Sequence, residues 1–167
     1  MTISIGQTLP AGVLTEFLEV AGEGCSIGPN AFKVEDMVKG KKIAIFGLPG
    51  AYTPTCSVKH LPSFVTLAGE LKAKGVDEIW CLATNDAFVM NAWGKVNDAI
   101  GKVRMMADGS VAYTKALGLV LDLTERGMGK RTDRFAMIVN DGVVQWLGHE
   151  APGKYELSSA ESVLANL

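Results

Sequence analysis

Ile43-Ala44-Ile45-Phe46-Gly47-Leu48-Pro49-Gly50-Ala51-Tyr52-Thr53-Pro54-Thr55-Cys56-Ser57 holds the organising unit of this chain in fifteen residues. The apolar run Ile43 to Phe46 reads as a strand buried on both faces. A loop broken by Pro and Gly follows. Cys56 then opens a helical pattern reaching about Lys72, in which Leu61, Phe64, Val65, Ala68 and Leu71 recur three and four apart. Gly75 stops that helix. The unit is strand, loop, helix, with the cysteine at the carboxyl end of the strand, where α/β sheets place their sites. A thiol there meets the unpaired N–H groups and positive dipole end of the helix, both of which favour thiolate, the nucleophilic form.

The same alternation continues outward. Glu78 to Thr84 is the next strand, and Asn85 or Asp86 caps a helix whose predicted buried face is Val89, Ala92, Trp93 and Val96. Val103 to Ala107 is a third strand. Asp108-Gly109-Ser110 turns into a short helix ending at Leu117. Arg134 to Asn140 and Val143 to Leu147 flank Asp141-Gly142, a hairpin signal. Ser158 to Leu167 is a closing helix with Ser158 and Glu161 spaced as a capping box. Val13 to Phe17 is a short strand-like run near the start. Strand–helix alternation calls for parallel pairs and the Asp-Gly hairpin for an antiparallel one. The expected fold is therefore α/β: one domain over residues 1–167, with a mixed central sheet and helices on both faces.

Composition narrows the function. The 167 residues are 48% hydrophobic and carry a net charge of −2, with no basic patch suited to nucleic acid. No apolar run reaches the roughly 18 residues of a membrane helix, and Met1 to Pro10 lacks the pattern of a secretory signal. Three cysteines, Cys25, Cys56 and Cys81, form neither a disulfide framework nor a metal-binding spacing. A cytoplasmic, reducing setting is the expectation.

Pro-Gly-Ala-Tyr-Thr-Pro-Thr-Cys-Ser closely resembles the active-site segment of peroxiredoxins, specifically the peroxiredoxin-5 (type II, atypical) branch. The resemblance extends through Asn85-Asp86-Ala87-Phe88-Val89, Trp93-Gly94, Ala107-Asp108-Gly109-Ser110 and Arg134-Phe135-Ala136-Met137. It implies a thioredoxin-like fold and a thiol peroxidase that reduces hydrogen peroxide and alkyl hydroperoxides without metal or organic cofactor. By position, Cys56 is the peroxidatic cysteine, Thr53 and Pro49 shape its pocket, and Arg134 is the active-site arginine. The chemistry fits. The thiolate attacks one peroxide oxygen in line with the O–O bond, so donors are needed at both oxygens, and Thr53, the Cys56 N–H and Arg134 are reasonable donors. The product is a Cys56 sulfenic acid.

Other residues are read more plainly. Arg131 matches a family position and either orients the pocket or stands by. His60, four residues after Cys56, raises a Cys–His hydrolase pair, but no third orienting group is evident, and a surface or partner-facing place is expected. Cys81 lies in an apolar strand and reads as structural. Cys25, in a Gly-rich loop, is a bystander or a modifiable thiol. Some peroxiredoxin-5 relatives carry a resolving cysteine near the C-terminus, whereas Leu157-Ser158-Ser159-Ala160-Glu161 contains none. An external thiol is therefore expected to close a one-cysteine cycle. By resemblance, glutathione with or without a separate glutaredoxin comes first and thioredoxin second. The resemblance also implies a homodimer, with Tyr52 a candidate contact. Two rival classes are a redox sensor or chaperone switched by Cys56 oxidation, and a disulfide reductase, against which the lack of Cys-x-x-Cys argues.

Overall fold

A computed structural model describes residues 1–22 and 24–167. In chain order, β1 (Val13–Leu18) and β2 (Gly28–Lys33) form a hairpin, and the one-turn helix α1 (Val34–Met37) leads to β3 (Lys42–Gly47). A π-helical turn, Cys56–His60, runs straight into α2 (Leu61–Ala73). Then come β4 (Glu78–Ala83), α3 (Ala87–Val96), β5 (Arg104–Ala107), α4 (Ala112–Leu117) and the small hairpin β6 (Val120–Leu123) and β7 (Gly129–Thr132). The hairpin β8 (Phe135–Asn140) and β9 (Val143–His149) and the helix α5 (Ala160–Ala165) complete the order.

Seven strands form one mixed sheet in the order β2-β1-β5-β4-β3-β8-β9. Strand β3 pairs parallel with β4, Ile45 opposite Trp80, and antiparallel with β8, Ile45 opposite Met137. Both faces of β3 and β4 are covered, which is why they read as unbroken apolar runs. On one face, Ala44, Phe46, Ile79 and Cys81 pack against α2, α3 and α5 through Leu61, Phe64, Met90, Trp93 and Val163. On the other, Ile43, Ile45, Trp80 and Leu82 meet α1 and α4 through Val34, Tyr113 and Leu117. Helices thus cover both faces, as expected. At the β8–β9 turn, Asp141 and Gly142 both have left-handed backbone, φ 47° and 80°, as a type I′ hairpin demands.

Several local expectations are corrected. The buried face of α3 is Ala87, Met90, Asn91, Trp93 and Gly94, whereas Ala92 and Val96 face solvent. Gly94 lies on this face where a Cβ would come 2.8 Å from the Ile100 side chain, a demand for smallness that hydropathy does not register. Asp86, and not Asn85, caps this helix by accepting from Val89 N at 2.9 Å. The last helix starts at Ala160 with Ser159 as cap. Ser158 is turned inward, where its N–H and hydroxyl both donate to Glu150. Strands β2, β6 and β7 were not anticipated. Strand β2 contains Pro29 and sits at a sheet edge, where a missing donor is tolerated. Strand β7, Gly-Lys-Arg-Thr, carries no apolar alternation.

Candidate active site

Strand β3 delivers the chain to the loop before Cys56, and two residues from outside pin that loop. Arg131 donates through Nε to the Met128 carbonyl at 2.8 Å and through Nη1 to the Pro49 carbonyl at 3.3 Å. Asn85 Oδ1 accepts from Ala51 N at 2.9 Å. Gly50 is required by close approach, since a Cβ there would sit 2.7 Å from Arg131 Nη1. Arg131 thus ties the Pro49 carbonyl to the β6–β7 hairpin. Tyr52 holds a left-handed backbone, φ 64°, which costs a non-glycine residue on the order of 1 kcal/mol. Its side chain is exposed.

The helix begins at Pro54, whose missing N–H costs nothing in the first turn. Ser57 N donates to Thr53 O at 3.0 Å, the first helical bond. The backbone then widens into the π-helical turn that holds Cys56, a departure concentrated at functional sites. Thr53 spends its one hydroxyl proton on the Gly50 carbonyl at 2.7 Å. Its oxygen is then left to act as an acceptor toward a further partner, whereas the sequence suggested a donor. Trp93 Nε1 donates to Ser57 Oγ at 3.0 Å and braces the residue beside the cysteine.

Cys56 is fully buried. Arg134, just before β8, reaches it across the sheet, with Nη2 donating to Sγ at 3.3 Å. The other fork nitrogen, Nη1, lies 3.0 Å from His60 Nδ1, and His60 Nε2 lies 2.8 Å from the Ser158 carbonyl. A carbonyl only accepts, so Nε2 carries the ring proton and Nδ1 is the acceptor for Arg134. Burial, and then the Arg134 charge, lower the His60 pKa to about 3, so the ring is neutral.

The surface place expected for His60 is thus overturned. The residue is fully buried, its ring 5.0 Å from Phe46 and 5.2 Å from Tyr155. The signal was available: His60, Phe64, Ala68 and Leu71 form one stripe at helical spacing, and Cys56 lies one turn before it. Cys81 is fully buried in β4, as expected. Burial pushes its thiol well up, and the proximity of Cys56 adds to the shift. Cys25 is half-buried in the loop before β2.

Beside the buried sulfur opens a cleft of about 690 Å³. It is lined by Pro49, Thr53 and Arg134, by the apolar Leu121, Leu123 and Met128, by the cations of Lys59, Arg126 and Lys154, and by the carboxylates of Asp133 and Glu156. Arg134 thus touches both the cleft and Cys56 Sγ. Among the described residues no cluster of His, Cys, Asp or Glu could hold a metal ion, and no helix is long and apolar enough to cross a membrane.

A thiol buried at a helix start with a guanidinium on its sulfur, in a mixed sheet covered on both faces, defines a class of protein. The redoxin family profile matches residues 5–164, and the chain belongs to this family of thioredoxin-like proteins. Within it the chain is a peroxiredoxin, a thiol peroxidase and an oxidoreductase. It is 44% identical to peroxiredoxin-2B of Arabidopsis thaliana over 99% of this chain and 98% of the relative. The reduced Prx3 of Vibrio vulnificus in complex with H₂O₂ is 46% identical, with a TM-score of 0.90 and 98% of each chain covered. A Burkholderia cenocepacia structure, provisionally described as a thioredoxin reductase, is 57% identical with a TM-score of 0.98, covering 100% of this chain and 99% of that one.

Proposed function

We propose that Cys56 is the peroxidatic cysteine of a type II (peroxiredoxin-5-like) enzyme, that Arg134, Thr53 and Pro49 form its peroxide pocket, and that glutathione, alone or with glutaredoxin, regenerates it. The observation that carries this reading is the guanidinium of Arg134 at 3.3 Å from Cys56 Sγ. A peroxide entering between Thr53 and Arg134 places one oxygen against the sulfur. An S–O bond forms as the O–O bond breaks. The departing oxygen leaves with the electron pair, takes a proton, and becomes water or an alcohol. Arg134 supplies N–H donors for the developing charge, and the Thr53 oxygen accepts from the peroxide O–H, which fixes its orientation. Pro49 closes one side of the pocket without offering an N–H that would compete.

The sulfenic acid on Cys56 then reacts with one external thiol, releasing water and giving a mixed disulfide. A second thiol releases Cys56 and carries away the oxidised disulfide. Two features favour an external reductant: the segment Leu157 to Glu161 holds no cysteine, and burial keeps the Cys81 thiol protonated. Because Cys56 is fully buried, the helical turn around it must open for a thiol of any size. We further propose a homodimer packed where Tyr52 and Phe88 are exposed, and residence in the cytoplasm, in keeping with three free cysteines.

Peroxide turnover measured side by side with glutathione, glutathione plus glutaredoxin, and thioredoxin tests this reading. Turnover with either glutathione system and loss of it in Cys56→Ser are the expected results. Turnover with thioredoxin alone would replace the reductant. No turnover with any of them, together with a change of oligomer size on oxidation, would favour the sensor reading.

A further inference from the structure

The carboxylate of Glu150, just past β9, is only 4% exposed and has an unusual hydrogen-bond load. One oxygen, Oε1, accepts from three consecutive backbone N–H groups, Glu156 at 2.8 Å, Leu157 at 2.6 Å and Ser158 at 2.8 Å, and from the Ser158 hydroxyl at 2.8 Å. The other, Oε2, is buried with no partner among the described residues. Successive N–H groups turned on one point form a nest for an anion, here filled from within the chain. Its consequence is to hold Ser158, itself fully buried, with its carbonyl 2.8 Å from His60 Nε2. Glu150 N also donates to the Arg134 carbonyl at 3.0 Å. The contacts therefore close a ring: Arg134 main chain, Glu150, Ser158, His60, Arg134 side chain, with Cys56 on the last member.

We propose that Glu150 is a positioning residue for the reacting sulfur: it fixes the Ser158 carbonyl, that carbonyl selects the Nε2–H tautomer of His60, and the free Nδ1 holds Arg134 in the orientation that presents Nη2 to Cys56. The tautomer is the hinge of the chain of contacts. A neutral imidazole has one N–H and one acceptor. With the Ser158 carbonyl withdrawn, the proton is free to sit on Nδ1, which then meets the Arg134 Nη1 donor as a second donor. The guanidinium loses the acceptor that holds Nη1, and with it the aim of Nη2 at the sulfur. The cost falls on peroxide reduction, because small misplacements of a reacting group slow chemistry steeply. Packing alone does not require the arrangement, since the unpartnered Oε2 makes a charged group at this depth an expensive way to fill space.

This inference rests on Cys56 as the peroxide-reacting thiol, and the experiment separates the two. Glu150→Ala and Glu150→Gln are compared with the parent protein in reduced form. Long-range ¹H–¹⁵N correlations report the His60 tautomer, and stopped-flow Trp fluorescence gives the rate of oxidation by H₂O₂. Glu150→Ala is expected to mix the tautomers and slow oxidation by roughly tenfold or more. Glu150→Gln, which keeps an accepting oxygen in the nest, should retain the Nε2–H tautomer and most of the rate. In an Arg134→Met background Glu150→Ala should change the rate by no more than about twofold, because the two act as one unit. Should Glu150→Ala not fold, Glu150→Asp, one methylene too short to serve all four donors, takes its place, with the same expectations. A normal rate without the carboxylate overturns the proposal. So does a slow rate with the tautomer unchanged, or the same loss without Arg134. Persistent peroxide consumption in Cys56→Ser would instead remove Cys56 as the reacting thiol, while the tautomer response would still stand or fall by itself.

Discussion

Replacing Arg134 by Met removes a planar cation from the sulfur while keeping a side chain of similar reach. Two contacts disappear, Nη2 to Cys56 Sγ at 3.3 Å and Nη1 to His60 Nδ1 at 3.0 Å, whereas the main-chain bond from Glu150 N to Arg134 O remains to hold the start of β8. A hydrogen bond to a charged group contributes about 1.5–3 kcal/mol. If that interaction is made to charge developing in the transition state, its loss corresponds to roughly 10- to 100-fold in rate. Removal of one donor from a preorganised oxyanion site costs on the order of 100-fold or more. The expected fall in the second-order rate of oxidation by H₂O₂ is therefore about 100-fold. Arg134→Lys should recover little of it, because one ammonium cannot hold both His60 and the sulfur in a fixed fork. Stopped-flow fluorescence is suited to the assay, since Trp93 donates to Ser57, next to Cys56. A rate within about threefold of the parent, against the expected loss, would refute the view that Arg134 acts on the reacting sulfur.

Three other outcomes follow from the same contacts. His60 titrates near 3 in the folded protein and at its ordinary value of 6.5 when unfolded. The unfolded chain therefore binds more protons between those values, so stability is fully present above 6.5 and falls as pH drops toward 3, by on the order of 1 kcal/mol per pH unit. Urea unfolding at pH 7 and pH 5 should show the loss, and an equal loss in His60→Asn would rule out this residue as its source. Asp86→Ala removes the cap on α3 and should lower stability by about 1 kcal/mol, seen in the urea midpoint, with the peroxide rate unchanged. Cys25→Ser and Cys81→Ser should each keep turnover with an external thiol, and abolished turnover in either, without unfolding, would contradict the one-cysteine cycle.

Much of this fold was legible because its elements obey one rule each. The buried runs of β3 and β4, the stripe of α2 and the Asp141-Gly142 turn declare themselves through period and turn chemistry. What was not legible depends on partners far along the chain. Strand β7 is polar and half-buried, and forms by pairing with β6, Leu121 opposite Arg131. The buried face of α3 includes Gly94, where a Cβ would crowd Ile100 and Met105, and hydropathy does not register that constraint. In the site, Cys56, Thr53, Pro49 and Arg134 are legible from one motif and one distant match. His60 reads as a surface residue on polarity alone, against its position on the apolar stripe. Glu150 carries no local signal and Ser158 only a misleading one, as a helix cap, since their part is set by a loop that folds back onto His60, 98 residues away from Ser158 in sequence.

The most direct measurement is a single turnover. Reduced protein is mixed with one equivalent of H₂O₂ in the absence of any other thiol, treated with a sulfenic-acid-selective dione, and mapped by peptide mass spectrometry. Near-complete labelling at Cys56, with Cys25 and Cys81 still free, is the expected result. A disulfide joining Cys56 to another cysteine of the same chain, or a label placed elsewhere, would contradict it.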